Sequence, residues 1–171
     1  CLKQLLAYND LGNQQWPGIR DGSTINQYAI DQAVKFGKSE CIQQLLAHND
    51  LGNQQWPGER DGFTINHYAV KHTVKNGKFE VLKQLLVHND LGNQQWPNEL
   101  DGWTINHFAV ANSAMYGKFE SLIELLEQNN FGNQQWPNEQ DGWTINHYAL
   151  KKVAGYGKLE CLKKLLAHNN L

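Results

Sequence analysis

The chain repeats itself every 40 residues. Shifting it by that interval brings Asn13-Gln14-Gln15-Trp16-Pro17 onto the segments 53–57, 93–97 and 133–137, and Asp21-Gly22 onto Asp61-Gly62, Asp101-Gly102 and Asp141-Gly142. A repeat of this length means a solenoid, a propeller or an array, in which each unit buries its apolar face only against its neighbours. The 171 residues divide into a partial copy (1–20), copies at 21–60, 61–100 and 101–140, and a last partial copy (141–171), all of one array. There is no starting Met and both ends fall inside the unit, so we expect a segment of a longer protein that lacks the polar capping repeats of a solenoid.

Within a copy the apolar residues follow a helical period. After Asp61-Gly62-Phe63, Thr64 is a natural N-cap. Ile65, Ala69, Val70 and Val74 then share one face, and Gly77 supplies a stop, which predicts a first helix of about three turns. Leu82, Leu85 and Leu86 fall at i, i+3 and i+4 of a second, amphipathic helix ending near His88-Asn89, with Asn89 where a left-handed cap is wanted. From Asp90 to Trp103 the chain carries Gly, Asn, Gln and Pro without helical period. A connection this long usually folds on itself as a turn or hairpin, and Trp96, held extended by Pro97, is its expected anchor.

Composition narrows the class. Asn and Gln together account for 35 residues, a bias seen in disordered, aggregation-prone tracts. Six Trp, six Tyr and six Phe argue for a packed chain instead, because that much ring surface needs burial. No apolar run approaches the roughly 18 residues of a membrane span, and no signal peptide opens the sequence.

Two strings carry a resemblance. Asp101-Gly102-Trp103-Thr104-Ile105-Asn106-His107-Phe108-Ala109 and Gly117-Lys118-Phe119-Glu120-Ser121-Leu122-Ile123-Glu124-Leu125-Leu126, repeated in register in the other copies, resemble the ankyrin repeat. The resemblance implies an all-α solenoid of helix-turn-helix units with long loops or hairpins, its first helices lining a concave face and its loop tips forming fingers. It also implies a non-catalytic scaffold that binds a protein partner. The period exceeds the family's 33 residues by seven: four lengthen the first helix by about one turn and three enlarge the loop. A HEAT-like stack of helix pairs is the alternative fold. Where the family has Pro-Leu, each copy has Ile-Asn (Asn26, Asn66, Asn106 and Asn146), and burial of these amides predicts a hydrogen-bonded ladder running along the array.

Comparing the copies sorts residues by role. Positions identical in every copy serve what all copies share, which is packing, while variable columns are free to specify a partner. One variable column, Ser23, Phe63, Trp103 and Trp143, sits at the expected finger tip and either anchors a partner or packs on the neighbouring copy. Others run along the first helix: Asp31, Lys71, Ala111 and Lys151; Gln32, His72, Asn112 and Lys152; Lys35, Lys75, Met115 and Gly155. These are partner-contacting candidates or the neutral variation of a solvated face.

The remaining columns point away from chemistry. Equivalent residues of stacked copies stand roughly 10 Å apart. That spacing is too wide for one column to ligate a metal or form a disulfide. His67, His107 and His147 (Gln27 in the first copy), and His48, His88 and His168 (Tyr8 and Gln128 elsewhere), are therefore expected to hydrogen-bond helix to loop. Cys1, Cys41 and Cys161 share a column with Val81 and Ser121 as small, half-buried residues, and free thiols suit a reducing, intracellular compartment, the cytoplasm or that of a host cell. Lys38, Lys78, Lys118 and Lys158 open each second helix, where the dipole disfavours a cation. With Glu40, Glu80, Glu120 and Glu160 two residues on and a net charge of -2, we expect a compensated surface and no nucleic-acid binding by charge. A catalytic site needs a unique constellation, whereas every reactive group here recurs, so no enzyme activity and no cofactor or metal is expected. A structural spacer for a catalytic domain elsewhere is the alternative to the scaffold, and a polyanion binder the third reading.

Overall fold

A computed structural model of the chain describes residues 4, 11–15, 24–57, 62–97, 102–137 and 142–168. Cys1, Tyr8, Trp16, Asp21 and Ser23 lie outside them, as do the side chains of His88 and His168. Eight α-helices appear among the described residues: α1 (Ile25–Phe36), α2 (Ser39–Ala47), α3 (Ile65–Asn76), α4 (Phe79–Val87), α5 (Ile105–Tyr116), α6 (Phe119–Glu127), α7 (Ile145–Gly155) and α8 (Leu159–His168). Odd-numbered helices are the first of each pair, even-numbered ones the second. No strand occurs among the described residues, and the helix pairs stack as a solenoid.

Each first helix starts and stops where the sequence directs. Thr24, Thr64, Thr104 and Thr144 are N-caps in extended conformation. Gly37, Gly77 and Gly117 close α1, α3 and α5 in the left-handed region, Gly77 at φ 64°. One stripe, Ile30, Val34, Val70, Val74, Val110 and Ala114, is buried in the core. First helices lean on one another more closely than second helices do. The looser spacing leaves a cleft of about 280 Å³ between α4 and α6, floored by Leu82, Leu86 and Leu125.

The connection is a hairpin, as its length suggested. After α4 the chain tightens into a 3-10 turn, His88–Asn93, and the left-handed residue is Asp90 (φ 55°), one position beyond Asn89. Asp50 and Asn130 repeat this at φ 56° and 58°, a conformation that Asp and Asn tolerate better than most residues. The Trp96 N–H then donates to the Trp103 carbonyl (2.9 Å) and the Ile105 N–H to the Gln94 carbonyl (2.9 Å), bracketing an antiparallel bridge between Gln95 and Thr104.

The amide ladder exists in a different direction from the one expected. Asn66 Nδ2 donates to Asn53 Oδ1 (3.1 Å), and Asn53 Nδ2 donates to Asp50 Oδ1 (2.8 Å), so the relay ties a first helix to the turn that leads into it, and the structural copy is a helix pair together with the loop before it. The pairs Asn26 to Asn13, Asn106 to Asn93 and Asn146 to Asn133 repeat it, and none links one copy to the next. The loop glutamines are exposed; their backbones make the hairpin, and the Gln55 side chain adds to it by accepting the Gly62 N–H at 3.2 Å. Gly52 belongs to the same device: a Cβ there would lie 2.4 Å from Asn66 Oδ1, so only glycine lets the amide in.

Candidate partner-binding face

The residues proposed to meet a partner start from the helical stripe opposite the core. Positions 68, 71, 72 and 75 of α3 follow the i, i+3, i+4, i+7 spacing of one helix face, as do 28, 31, 32 and 35 of α1. Asp31, Gln32, Lys71, His72, Ala111, Asn112, Met115 and Lys152 are half-buried, and Lys35, Lys75 and Lys151 are exposed. The structure therefore brings the variable first-helix columns together on one accessible strip.

Several of these side chains already have work within the array. Asp31 Oδ1 accepts the Tyr68 hydroxyl at 2.6 Å, and its Oδ2 accepts from Gln32 Nε2 at 3.2 Å. Burial, the hydrogen bond and the negative charge of Asp31 all push the Tyr68 hydroxyl upward from its ordinary range. His72 stacks on Tyr68 with centroids 4.1 Å apart, and Asn112 Nδ2 donates to the Phe108 carbonyl one turn back. The ammonium of Lys71 lies 5.2 Å from the Phe63 ring centroid, that of Lys151 5.1 Å from Trp143, and that of Lys152 5.2 Å from Tyr148.

The finger column needs correction at Phe63. That ring is 6% exposed and meets Trp96 of the following loop edge-on at 5.6 Å, so it fills the seam between copies and offers a partner no surface. Trp103 is half-buried and meets Trp136 edge-on at 5.1 Å in the same way. Trp143 is half-buried beneath Lys151. The most exposed rings are elsewhere: Phe36, Tyr116 and Tyr156 are 63%, 38% and 49% exposed, each just before the left-handed glycine that follows its helix. Their shared column with Asn76 was the available signal, one position beyond the set singled out from sequence.

The loop tryptophans are the anchors expected of them. Trp56, Trp96 and Trp136 stack on Tyr68, Phe108 and Tyr148 at 3.5, 3.5 and 3.4 Å, twelve residues downstream in each copy. The histidines complete this packing. His67 Nδ1 accepts the Thr64 N–H at 3.1 Å, and His107 and His147 serve Thr104 and Thr144 at 3.2 and 3.1 Å. A nitrogen that accepts a backbone N–H has no proton, so the cap requires a neutral ring protonated at Nε2. Burial pushes His107 down to about 4 and His67 in the same direction. The backbone of Gln95 partly opposes the shift at His67 without completing a hydrogen bond to its buried Nε2.

The lysine column also has a structural explanation that sequence did not disclose. Lys118 lays its stem over Gly77, with Nζ 3.3 Å from where a Cβ on that glycine would stand, and Lys78 and Lys158 cover Gly37 and Gly117. The Lys118 ammonium thus reaches back to the C-terminus of the preceding copy's first helix, where the dipole favours it, and the stems of Lys78 and Lys158 take the same course. Among the described residues no ion pair joins these lysines to the glutamates two positions on, so the expected local compensation is replaced by a clip between copies. In the cysteine column, Cys41 is exposed and Cys161 buried, both free thiols. No three His, Cys, Asp or Glu side chains gather as a metal site among the described residues. No described helix is long and apolar enough to cross a membrane.

A family model of ankyrin repeats, in three copies, matches residues 71–171. The chain belongs to the ankyrin repeat family. This decides between the ankyrin-like and HEAT-like readings of the helix pairs. No curated protein matches the chain. Ankyrin repeats are in general protein–protein interaction modules.

Proposed function

We propose that this array is a non-catalytic scaffold that binds a protein partner across its first-helix face. The observation that supports the reading is the division of labour along the helices. The invariant positions build the capping boxes, hairpins and core, while Gln32, Lys71, His72, Lys75, Asn112, Lys151 and Lys152 differ from copy to copy and lie on one accessible strip. Trp103 and Trp143 border that strip and retain half-exposed surface for a partner. Binding belongs to the array as one unit, residues 1–171, because a strip shared by four helices exists only when the copies are stacked. Two free thiols fit an intracellular setting.

The test is capture of a partner from cell extract by three proteins: the unaltered chain, a strip variant (Lys75→Glu with Asn112→Glu and Lys152→Glu), and a second-helix variant (Lys83→Glu with Gln84→Glu). Circular dichroism is recorded for all three. The expected result is one or more proteins retained by the first and third and lost from the second, with equal helicity. Retention by all three, or by none, overturns the reading.

A further inference from the structure

Charge is distributed unevenly across the array. The chain carries a net charge of -2, yet its first helices hold Lys35, Lys71, Lys75, Lys151 and Lys152 against a single acid, Asp31. That acid is engaged by the Tyr68 hydroxyl and the Gln32 amide. The linking segments lean acidic instead, with Asp50, Glu59 and Asp61 against Arg60 in one and Asp90, Glu99 and Asp101 in the next. The first-helix face is thus a basic strip on an acidic protein.

The strip is also patterned along its length. Lys35 in the first copy adjoins Lys71 and Lys75 in the second, and Lys151 and Lys152 stand together in the last. Among the described residues no ion pair holds Lys35, Lys75 or Lys152. Between the two basic patches the third copy presents Phe108, Ala111, Asn112 and Met115, half-buried and without charge.

Resting on the scaffold reading, we propose that the strip receives an extended segment of a partner protein in which two acidic clusters flank a short apolar stretch. Neighbouring first helices pack about 8–10 Å apart, so Lys75 and Lys152, two copies apart, are separated by about 20 Å along the stack. An extended chain advances about 3.3 Å per residue, which places the acidic clusters about six residues from one another. The apolar residues between them meet Phe108, Ala111 and Met115. A nucleic acid fits less well, since its evenly spaced phosphates need cations throughout and α5, between the two basic patches, offers none.

The proposal is tested with the whole chain and labelled synthetic peptides, read by fluorescence anisotropy. The first peptide, capped at both ends, is Asp-Glu-Leu-Phe-Ser-Leu-Asp-Glu. The comparators are Asp-Glu-Asp-Glu-Leu-Phe-Ser-Leu, the first peptide with Asn and Gln for its acids, and a twenty-nucleotide oligo-dT. We expect the spaced peptide to bind at least about tenfold more tightly than the contiguous or neutral one, with affinity falling as salt rises. Lys75→Glu and Lys152→Glu each weaken it, Met115→Glu weakens it without removing a cation, and Lys83→Glu on α4 leaves it unchanged. Equal affinity for all peptides, no peptide binding, or tighter binding of oligo-dT overturns the proposal. If the peptides fail while the strip variant still loses its captured partner, the acidic chemistry alone is wrong. If the strip variant also keeps its partner, the scaffold reading falls with it.

Discussion

Trp56 and Trp96 occupy equivalent places in successive loops, each stacked at 3.5 Å on the first ring of its own helix, yet Trp96 is buried and Trp56 only half so. The difference comes from the copy before. Phe63 and His67 close on Trp96 edge-on at 5.6 and 5.1 Å, and Trp103 and His107 close on Trp136 at 5.1 and 5.3 Å. The positions that would cover Trp56 are Ser23 and Gln27, which have no ring. The first seam has a hydrogen bond instead, from Tyr68 to Asp31, where the later seams pair Phe108 with Lys71 and Tyr148 with Ala111. One backbone plan therefore tolerates two kinds of adhesive. Edge-on ring pairs contribute about 0.5–1.5 kcal/mol each beyond their buried area, and a hydrogen bond to a charged acceptor about 1.5–3 kcal/mol.

The sharpest way to break that contrast is to delete the two tryptophans. Trp96→Ala removes a buried ring with one stacked and two edge-on neighbours, and should cost about 3–5 kcal/mol. Trp56→Ala removes a half-exposed ring with one stacked neighbour, and should cost roughly half as much. Urea unfolding followed by helical circular dichroism measures both. Equal losses would mean that the edge-on rings add nothing to the later seams.

How much of this was legible beforehand depends on the range of each interaction. Thr64, Gly77 and the Leu82, Leu85, Leu86 stripe act within one helix, so caps, period and helix pairing follow from local spacing. The hairpin was foreseeable from its length and from Trp-Pro. What escaped was everything joining one copy to the next. Lys118 reads as a misplaced N-terminal cation until its stem is seen crossing to Gly77, 41 residues away in sequence. Phe63 reads as a finger tip until Trp96 closes over it. Asn66 reads as one rung of a long ladder because equivalent residues recur along the stack, but the amide reaches only to Asn53, while the spacing between copies puts the next Asn out of reach. Among the candidate residues, their place together on one helix face was legible from spacing, and the contacts that Asp31 and His72 make inside the array were not.

Acid should separate the seams next. In the first copy the Thr24 N–H is capped by Gln27 Oε1 at 2.7 Å, an acceptor that does not titrate in this range. In the second and third, His67 and His107 must be neutral to accept. His107 has a folded value of about 4, below its ordinary 6.5, so on acidification the unfolded chain takes up the proton first. Its contribution is complete above about pH 6.5 and is lost as the pH falls toward about 4, and His67 shifts in the same direction. Midpoints of urea unfolding measured across this window should fall with pH. The double variant His67→Gln, His107→Gln, which gives every buried cap the first copy's chemistry, should flatten that dependence; an unchanged slope would remove the histidines from the seams' energetics.

The smallest effect tests the first seam's own adhesive. Tyr68→Phe deletes the hydroxyl but keeps the ring on Trp56 and His72, so only the link to Asp31 is lost. Asp31 is half-buried and keeps the Gln32 amide, so water can replace the missing donor and the loss should be near 1 kcal/mol rather than the full value of a buried charged bond. A cycle with Asp31→Ala isolates the pair from the separate consequences of each change, and a coupling of about 0.5 kcal/mol or more is expected for residues in direct contact. Phe108→Tyr supplies the reverse measurement: it places a hydroxyl opposite Lys71 at the second seam, where no carboxylate waits, and should gain nothing. A gain there equal to the loss at Tyr68 would show that the hydroxyl acts on its own ring packing. The absence of coupling with Asp31 would leave the first seam resting on the Trp56 stack alone.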